Sequence, residues 1–246
     1  MALSTIILTK KNTAIKDVKD FIEEHPDRSI FQTIEAFEVF LNTKKHKPFF
    51  VIAKENGLVV GSVLAVVIHN GIGIKRCFSR RCVVYGNPLI KYDKESVLDV
   101  LLKALYEHIK NKAIYAQIRL TTDVSDVFHR LYHLNGFLYE AHLNIFHYLN
   151  KTIEDQWNAI HSGRRKNIRR AIANGLVFKE IACAEELNIS CNLLYSTYRR
   201  IKLPLAHNSL FYTAHEHLQK KEMLKVFVAC YNDQIIATRM VLLYNG

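Results

Sequence analysis

The chain has 246 residues, of which 49% are hydrophobic and 23% are charged; this is enough apolar material for one large or two small cores and excludes a disordered chain. Its 34 Lys and Arg exceed its 23 Asp and Glu by 11 charges, which is typical of a protein with a polyanionic partner such as nucleic acid, a nucleotide-linked substrate or an anionic membrane surface; charge that serves only solubility is the alternative. The apolar runs are too short to span a bilayer, no signal peptide is recognised, and five dispersed cysteines are typical of a cytoplasmic protein.

The first 150 residues alternate between helix and strand patterns. Apolar spacing predicts helices at 13–24, 33–41, 94–110 and 124–134, and strands at 48–54, 58–68, 82–85, 114–120 and 138–149. Asn56-Gly57 predicts a tight hairpin between the first two strands, and Asn135-Gly136 predicts the end of a helix. Because strand–helix–strand units require parallel pairing, the order predicts an α/β fold with a mixed sheet and helices on both faces.

Residues 151–246 form a second segment with its own pattern. The predicted helices are at 154–160, 164–173, 185–201 and 209–219, and the predicted strands are at 176–181, 224–230 and 235–243. Asn174-Gly175 predicts a helix end, and Asn232-Asp233 predicts a second hairpin turn. We therefore expect domains at 1–150 and 151–246.

The two predicted hairpins match at an offset of 176 residues, with Ala53 matching Ala229 and Asn56 matching Asn232. Each hairpin follows two helices, so the pattern predicts an internal repeat. If the repeat is real, residues 151–246 are only the first half of a second domain. Whether the chain end at Gly246 is natural or a truncation stays open.

One helix carries an unusual cluster of positive charge within seven residues. Its cationic residues are Arg164, Arg165, Lys166, Arg169 and Arg170. Like charges four residues apart repel, and the positive end of the helix dipole disfavours cations. An anion would relieve both costs, since guanidinium groups bind phosphate or carboxylate through two hydrogen bonds. We interpret the cluster as an anion site and expect Ile168, Ala171 and Ile172 to dock the helix; a solvated helix face is the alternative.

The element order of residues 1–150 resembles the GNAT acyltransferase fold, and residues 131–137 resemble the approach to that fold's late strand. Acetyl-CoA enzymes of that fold bind pyrophosphate with an Arg/Gln-x-x-Gly-x-Gly/Ala loop before the central helix. The stretch at 85–90 lacks this loop, so we expect no CoA in the first domain.

A tandem pair of such domains without the loop is similar to the Fem family of peptidoglycan bridge-forming aminoacyltransferases. Four stretches carry the resemblance: Phe31-Gln32-Thr33 with Phe37, Tyr85-Gly86-Asn87-Pro88-Leu89, residues 164–175 and residues 194–204. Two features depart from the family. Phe40 or Leu41 stands where the family has a lysine, and the coiled-coil arm of some members is missing.

The resemblance to the Fem family implies an enzyme that transfers an aminoacyl or acyl group to an amine of a peptidoglycan or polysaccharide precursor. It implies no tightly bound cofactor, with aminoacyl-tRNA or acyl-CoA as the donor substrate. The acceptor would be a phosphate-bearing small molecule or a lipid-linked compound; tRNA and an anionic membrane surface stay open as partners, and no stable protein partner is predicted. The substrate-binding residues that follow are Arg164, Arg165, Lys166, Arg169, Tyr85 and Tyr198.

Two other functions stay open. One is an N-acetyltransferase that acts on a nucleotide-linked sugar, with acetyl-CoA bound by the second domain. The other is a non-enzymatic RNA-binding module, although residues 162–175 contain no aromatic ring for base stacking.

The catalytic residues are not identified from the sequence. Asp123 is either a general base or the N-cap of the following helix. His129 and His133 have the spacing of metal ligands on a helix, but no acidic or cysteine partner completes a site, so we expect no metal.

Overall fold

The computed structural model describes residues 3–10, 14–69 and 78–244, and the chain divides into two compact units. Unit 1 comprises residues 1–141, 207–221 and 244–246, and unit 2 comprises residues 142–206 and 222–243. Residues 207–221, which the sequence assigned to the second domain, thus group with unit 1 by packing. Among the described helices, none combines the length and the apolar character that crossing a bilayer requires.

Unit 1 is built on a mixed sheet. Its strands are β1 Leu3–Leu8, β2 His46–Glu55, β3 Leu58–His69, β4 Arg80–Tyr85, β5 Leu89–Ile90 and β6 Tyr115–Arg119. Its helices are α1 Ala14–Glu24, α2 Ile34–Asn42, α3 Glu95–Ile109, α4 Asp126–Leu134 and α8 Ser209–Leu218. The strand order is β1-β2-β3-β4-β6, with β5 on β3, and only β4 and β6 are parallel. This confirms the predicted α/β class.

Helices cover both faces of this sheet because successive strand residues point to opposite sides. On one face, Val97 and Leu101 of α3 are buried in the same cluster as Val51 of β2. On the other face, Phe37 of α2 is buried with Phe50 of β2, and the two rings lie 5.4 Å apart. The central strands are therefore buried on both faces.

The structure adds one strand to unit 1 and moves the start of one helix. Residues 3–8 form β1, which pairs antiparallel with β2, although the sequence analysis assigned no strand there. Helix α4 begins at Asp126 instead of residue 124, because the Ser125 side chain accepts a hydrogen bond from the Phe128 amide as the N-cap. Thr13, the predicted start of the first helix, lies outside the described residues.

The predicted strand at 138–149 is wrong. These residues have no strand or helix, and their large apolar side chains are exposed, including Leu143 and Ile145. A strand forms only when a neighbour supplies main-chain partners. β6 is the last strand of the sheet path among the described residues, and the segment does not pair with it. The sequence shows the apolar alternation of a strand, but it cannot show whether a neighbouring strand pairs with this segment.

Unit 2 contains a three-stranded antiparallel sheet and three helices. The strands are β7 Val177–Glu180, β8 Leu224–Tyr231 and β9 Gln234–Leu242, in that order. The helices are α5 Ile153–Ala159, α6 Ser162–Ala173 and α7 Ala184–Arg200. Gly175 has a φ of +87° just after α6, which confirms the predicted helix end.

The hairpins β2–β3 and β8–β9 share details that the sequence alone does not show. Each has a register shift just after the matching alanine, between Ala53 and Lys54 in one and between Ala229 and Cys230 in the other. Both residues of each two-residue turn have positive φ, at Asn56-Gly57 and at Asn232-Asp233. The same bulge at the same offset supports the predicted repeat, because bulges are local features that chance alternation does not reproduce.

Candidate functional site

Tyr85 lies at the carboxyl end of β4, beside Arg119 at the carboxyl end of β6. The Arg119 guanidinium carbon is 5.3 Å from the centre of the Tyr85 ring, a cation–π contact. The rings of Phe31 and Phe40 each lie 5.8 Å from the same ring. Ligands of open α/β sheets bind outside the carboxyl ends of the strands, so this aromatic group occupies the expected place for a site.

Gln32 fixes the main chain at this end of the sheet. Its side chain is fully buried, donates a 2.7 Å hydrogen bond to the Tyr85 carbonyl oxygen and accepts one of 2.8 Å from the Leu64 amide. The next residue, Gly86, has a φ of +84°, and a Cβ there would lie 2.9 Å from the Ser29 hydroxyl oxygen. The Tyr85-Gly86 turn is therefore held in one conformation.

The ends of β4 and β6 are joined beyond the strands themselves. The Gly86 amide donates a 3.0 Å hydrogen bond to the Arg119 carbonyl. The Asn87 side chain accepts a hydrogen bond from the Thr121 amide and donates one to the Thr122 hydroxyl, each 2.9 Å long. No gap opens between the two strands at this point.

The amino end of α3 is unsuited to a pyrophosphate. Asp93 and Glu95 place carboxylates beside the first turn, where they would repel a phosphate. Tyr92 and Asp93 also have positive φ, at 57° and 48°, in a loop that contains no glycine between Lys91 and Glu95. This geometry agrees with the absence of the CoA-binding loop in the sequence.

The cationic helix of the sequence analysis is α6 in unit 2. Arg165 is half-buried and its Nη1 atom donates to the carbonyl oxygens of Trp157, Asn158 and Ile160, at 3.3, 2.6 and 3.0 Å. These carbonyls lie at the end of α5, where the last turn has few intrahelical donors; the Trp157 carbonyl also accepts from the Ile160 amide at 3.2 Å. Arg165 therefore holds α5 against α6 and has fewer donors left for a ligand.

The other cations of α6 are freer. The Arg169 guanidinium carbon lies 5.7 Å from the ring centre of Trp157, which orients that side chain. The side chains of Arg164 and Lys166 are exposed, and neither forms a hydrogen bond or ion pair with another described side chain. The face expected to dock is 38% exposed at Ile168 and 62% exposed at Ile172, so that expectation is wrong within the described structure.

A shallow depression of about 570 Å³ lies on α7 of the same unit. It is lined by Tyr195, Ser196, Arg199 and Arg200, and does not include Tyr198. The Tyr195 hydroxyl donates a 3.0 Å hydrogen bond to the Ala206 carbonyl, and burial raises the pKa of this tyrosine. Tyr195 is therefore fixed, while the two arginines beside it are exposed.

The predicted site residues thus fall into two groups: Tyr85 in unit 1, and the α6 cations with Tyr198 in unit 2. Sequence reasoning missed Arg119, Arg199 and Arg200. Arg119 had no local signal, because only the parallel register of β4 and β6 brings it to Tyr85. Arg199 and Arg200 were within a stretch that resembles the Fem family but were not singled out.

The described residues contain no group of three His, Cys, Asp or Glu side chains arranged to hold a metal. His129 packs edge-on against the Tyr139 ring, with centroids 4.8 Å apart. Asp123 is exposed, and the N-cap role belongs to Ser125. Burial raises the pKa of the Cys82 thiol to about 12, which excludes it as a nucleophile at neutral pH.

Comparison with known proteins gives a structural relative. No protein-family model and no curated protein sequence matches the chain. The crystal structure of FemX matches with a TM-score of 0.60 and 16% identity, covering 92% of this chain. The chain has the FemX fold. The resemblance to the Fem family that the sequence predicted is confirmed at the level of the fold, and the chain spans 57% of the length of the FemX chain.

Acetyltransferase structures match the FemX-like chain over a smaller part. A ribosomal-protein-alanine N-acetyltransferase from Brucella melitensis biovar Abortus 2308 matches with a TM-score of 0.41 and 12% identity, covering 60% of this chain and all of that one (100%). AAC(6')-Iy in complex with a CoA-linked bisubstrate analogue matches with a TM-score of 0.43 and 13% identity, covering 59% of this chain and 98% of that one. Similarity at this level carries no functional argument.

Proposed function

We propose that the chain belongs to an acyltransferase that transfers an aminoacyl or acyl group to an amine of a phosphate-bearing acceptor, a peptidoglycan or polysaccharide precursor. The observation that carries the proposal is the cluster of exposed cations on α6, combined with the FemX fold. Arg164, Lys166 and Arg169 have no acidic partner among the described residues, so α6 keeps its positive charge available for a ligand.

Arg165 and Arg169 have different parts in this proposal. Arg165 fixes the angle between α5 and α6 through three carbonyl oxygens. Arg169 is held over the Trp157 ring, so part of its conformational freedom is already lost before a ligand binds. A preorganised guanidinium binds phosphate more tightly than a mobile one, since less side-chain entropy is lost on binding.

The Tyr85 end of unit 1 supports an acyl donor other than CoA in that unit. The β4 and β6 ends are joined through Gly86 and Asn87, and carboxylates flank the amino end of α3. Both features oppose the binding of a CoA pyrophosphate there. We therefore favour aminoacyl-tRNA as the donor, and we assign the aromatic group around Tyr85 to packing against an uncharged part of a substrate.

The reaction would be an attack of the acceptor amine on the donor's acyl carbonyl. A C–N bond forms, the C–O bond of the donor ester breaks, and the proton released by the amine ends on the oxygen of the leaving alcohol. No described side chain is placed as a general base, so the proposal relies on the orientation of the two substrates and on the charge of their phosphates.

Thermal-shift measurements with three ligands test this function: UDP-MurNAc-pentapeptide, acetyl-CoA and bulk tRNA. We expect stabilisation by the UDP-linked peptide, because a ligand that binds only the folded state raises the melting temperature. A response to acetyl-CoA alone would contradict the proposal in favour of an acetyltransferase. A response to tRNA alone would leave the acceptor unsupported and contradict the role of α6.

A further inference from the structure

A row of side chains crosses the sheet of unit 1 at the end opposite Tyr85. The strand registers place His46 of β2 beside Ile68 of β3, Ile68 beside Arg81 of β4, and Arg81 beside Tyr115 of β6. Paired residues of neighbouring strands point to the same face, and strands lie about 4.8 Å apart, so the row spans about 14 Å. It lies at the amino ends of β4 and β6, far from the aromatic group around Tyr85.

Positive charge is concentrated at this end of the sheet. The sheet-end cluster, as we name it, consists of Lys44, Lys45, His46, His69, Arg80, Arg81 and His207. Burial lowers the pKa of His46, and the positive charges of its neighbours in the cluster lower it further. Among the described residues, no acidic side chain forms an ion pair with the lysines or arginines of the cluster.

The two arginines of the cluster have unused hydrogen-bond donors. The Nε atoms of Arg80 and Arg81 are buried and have no hydrogen-bond partner in the described structure. Consecutive strand residues point to opposite faces, so the two guanidinium groups extend from both sides of β4. Buried donors of a charged group are normally paired, so the lack of an acceptor among the described residues leaves these guanidinium groups without a protein counter-charge that would compete with an external anion.

Exposed aromatic rings flank these arginines. Phe78 precedes Arg80 by two residues and is 78% exposed, and Tyr115 beside Arg81 is 55% exposed. Flat rings next to unpaired cations are the combination that binds single-stranded nucleic acid, in which bases stack on the rings and phosphates contact the cations. Membrane binding instead relies on a broad apolar face with mobile lysines around it.

We propose that the sheet-end cluster, together with Phe78 and Tyr115, binds single-stranded nucleic acid. The guanidinium groups of Arg80 and Arg81 contact phosphates, and the rings of Tyr115 and Phe78 stack on bases. The site uses no residue of α6 and none of the aromatic group around Tyr85. Nucleic-acid binding at this site does not depend on acyl transfer. The proposal can therefore be confirmed or refuted independently of the proposed function.

Fluorescence anisotropy with a 5′-fluorescein RNA of about twelve nucleotides tests the proposal, titrated at several salt concentrations between about 50 and 200 mM. The Arg80→Gln, Arg81→Gln double variant should weaken binding and reduce the slope of log affinity against log salt by about 1.4, since each single-strand phosphate contact contributes about 0.7. The Tyr115→Ala variant should weaken binding about fivefold to a hundredfold and leave the slope unchanged, because stacking is not ionic.

The matched control removes two charges from α6, as Arg164→Gln, Lys166→Gln. We expect this control to retain most of the affinity and the wild-type salt slope. Tyr115 is exposed, so its variant tests the site even if the arginine variant fails to fold. Equal losses in the control and in the arginine variant would overturn the proposal, and so would the absence of RNA binding by the wild-type chain, with or without binding to phosphatidylserine vesicles.

Discussion

The side-chain amide of Gln32 donates a 2.7 Å hydrogen bond to the main-chain carbonyl of Tyr85, so a residue before α2 fixes the carboxyl end of β4. The same side chain accepts a hydrogen bond from the Leu64 amide of β3 and is fully buried. One glutamine thus satisfies two main-chain groups on two strands. It thereby holds the aromatic group around Tyr85 in place.

We expect Gln32→Leu to destabilise unit 1 by about 2–6 kcal/mol, because a buried carbonyl and a buried amide would each lose their partner at about 1–3 kcal/mol. Urea unfolding monitored by circular dichroism measures the change. The control is Gln219→Leu, at an exposed position, which should change the free energy of unfolding by less than about 0.5 kcal/mol. Equal stability of the two variants would contradict the bridging role.

Gly61 is a second position with a specific packing requirement, because a larger side chain there would contact α3. A Cβ at this residue would lie 2.5 Å from Cγ1 of Val97 on α3. We expect Gly61→Ala to destabilise unit 1 by about 1–3 kcal/mol through overpacking, measured as a lower urea midpoint. Ala237 holds the matching position in the second hairpin and is exposed, so Ala237→Val should be tolerated. If both substitutions left the urea midpoint unchanged, the prediction would be contradicted, because α3 would then move away from residue 61 at little cost.

Neighbouring arginines of α6 should behave differently. Arg165→Ala removes three hydrogen bonds to the end of α5 and should destabilise unit 2 by about 1–3 kcal/mol, as expected for bonds from a charged donor. Arg164→Ala removes an exposed side chain and should leave stability within about 0.5 kcal/mol. Amide hydrogen exchange of α5 distinguishes them, with faster exchange only in the Arg165 variant. Equal exchange rates would refute the structural role of Arg165.

The stability of unit 1 should decrease as the pH falls below neutral. Burial lowers the pKa of His46 from its usual 6.5; the hydrogen bond to the Lys44 carbonyl opposes this shift, and nearby positive charges reinforce it. Those charges are His207 from the segment before α8, His69 from β3 and Arg81 from β4, with Lys44 and Lys45 preceding His46 itself.

Since the folded pKa of His46 lies below the unfolded pKa, the neutral form stabilises the fold fully above about pH 6.5, and this contribution is lost as the pH falls through the folded value. His46→Phe should flatten this dependence while keeping a flat ring against Phe40, whose ring is parallel to that of His46 at 6.0 Å. Urea unfolding at a series of pH values measures the effect. An unchanged acid dependence in the variant would assign it to other groups.

The local turn chemistry was predictable from the sequence. Asn56-Gly57 and Asn232-Asp233 form the predicted turns because few residues accept positive φ at both positions. The ends of α4 and α6 follow for the same reason, since Gly136 and Gly175 both have positive φ. These signals lie within a few residues and need no knowledge of the rest of the fold.

What the sequence could not supply depends on distant partners. Residues 138–149 have an apolar alternation but pair with no described strand, whereas residues 3–8 pair with β2 and form β1. Charge alone could not separate Arg165, which binds carbonyl oxygens of α5, from Arg164, which is exposed. The sheet-end cluster likewise combines the ends of β2, β3 and β4, which meet through strand register, with His207 from the segment before α8.

Calorimetric titration of UDP-MurNAc-pentapeptide into the wild-type chain and into an Arg164→Ala, Lys166→Ala variant tests the central claim most directly. Both side chains are exposed and without protein partners among the described residues, so the variant should stay folded. We expect the loss of two charged phosphate contacts to weaken binding at least about a hundredfold, because each contact contributes about 1.5–3 kcal/mol. The Lys151→Ala, Lys220→Ala variant, which removes two exposed charges elsewhere, should bind as the wild type does. Equal affinity of all three proteins, or no binding by the wild type, would contradict the assignment of α6 as the acceptor-phosphate site.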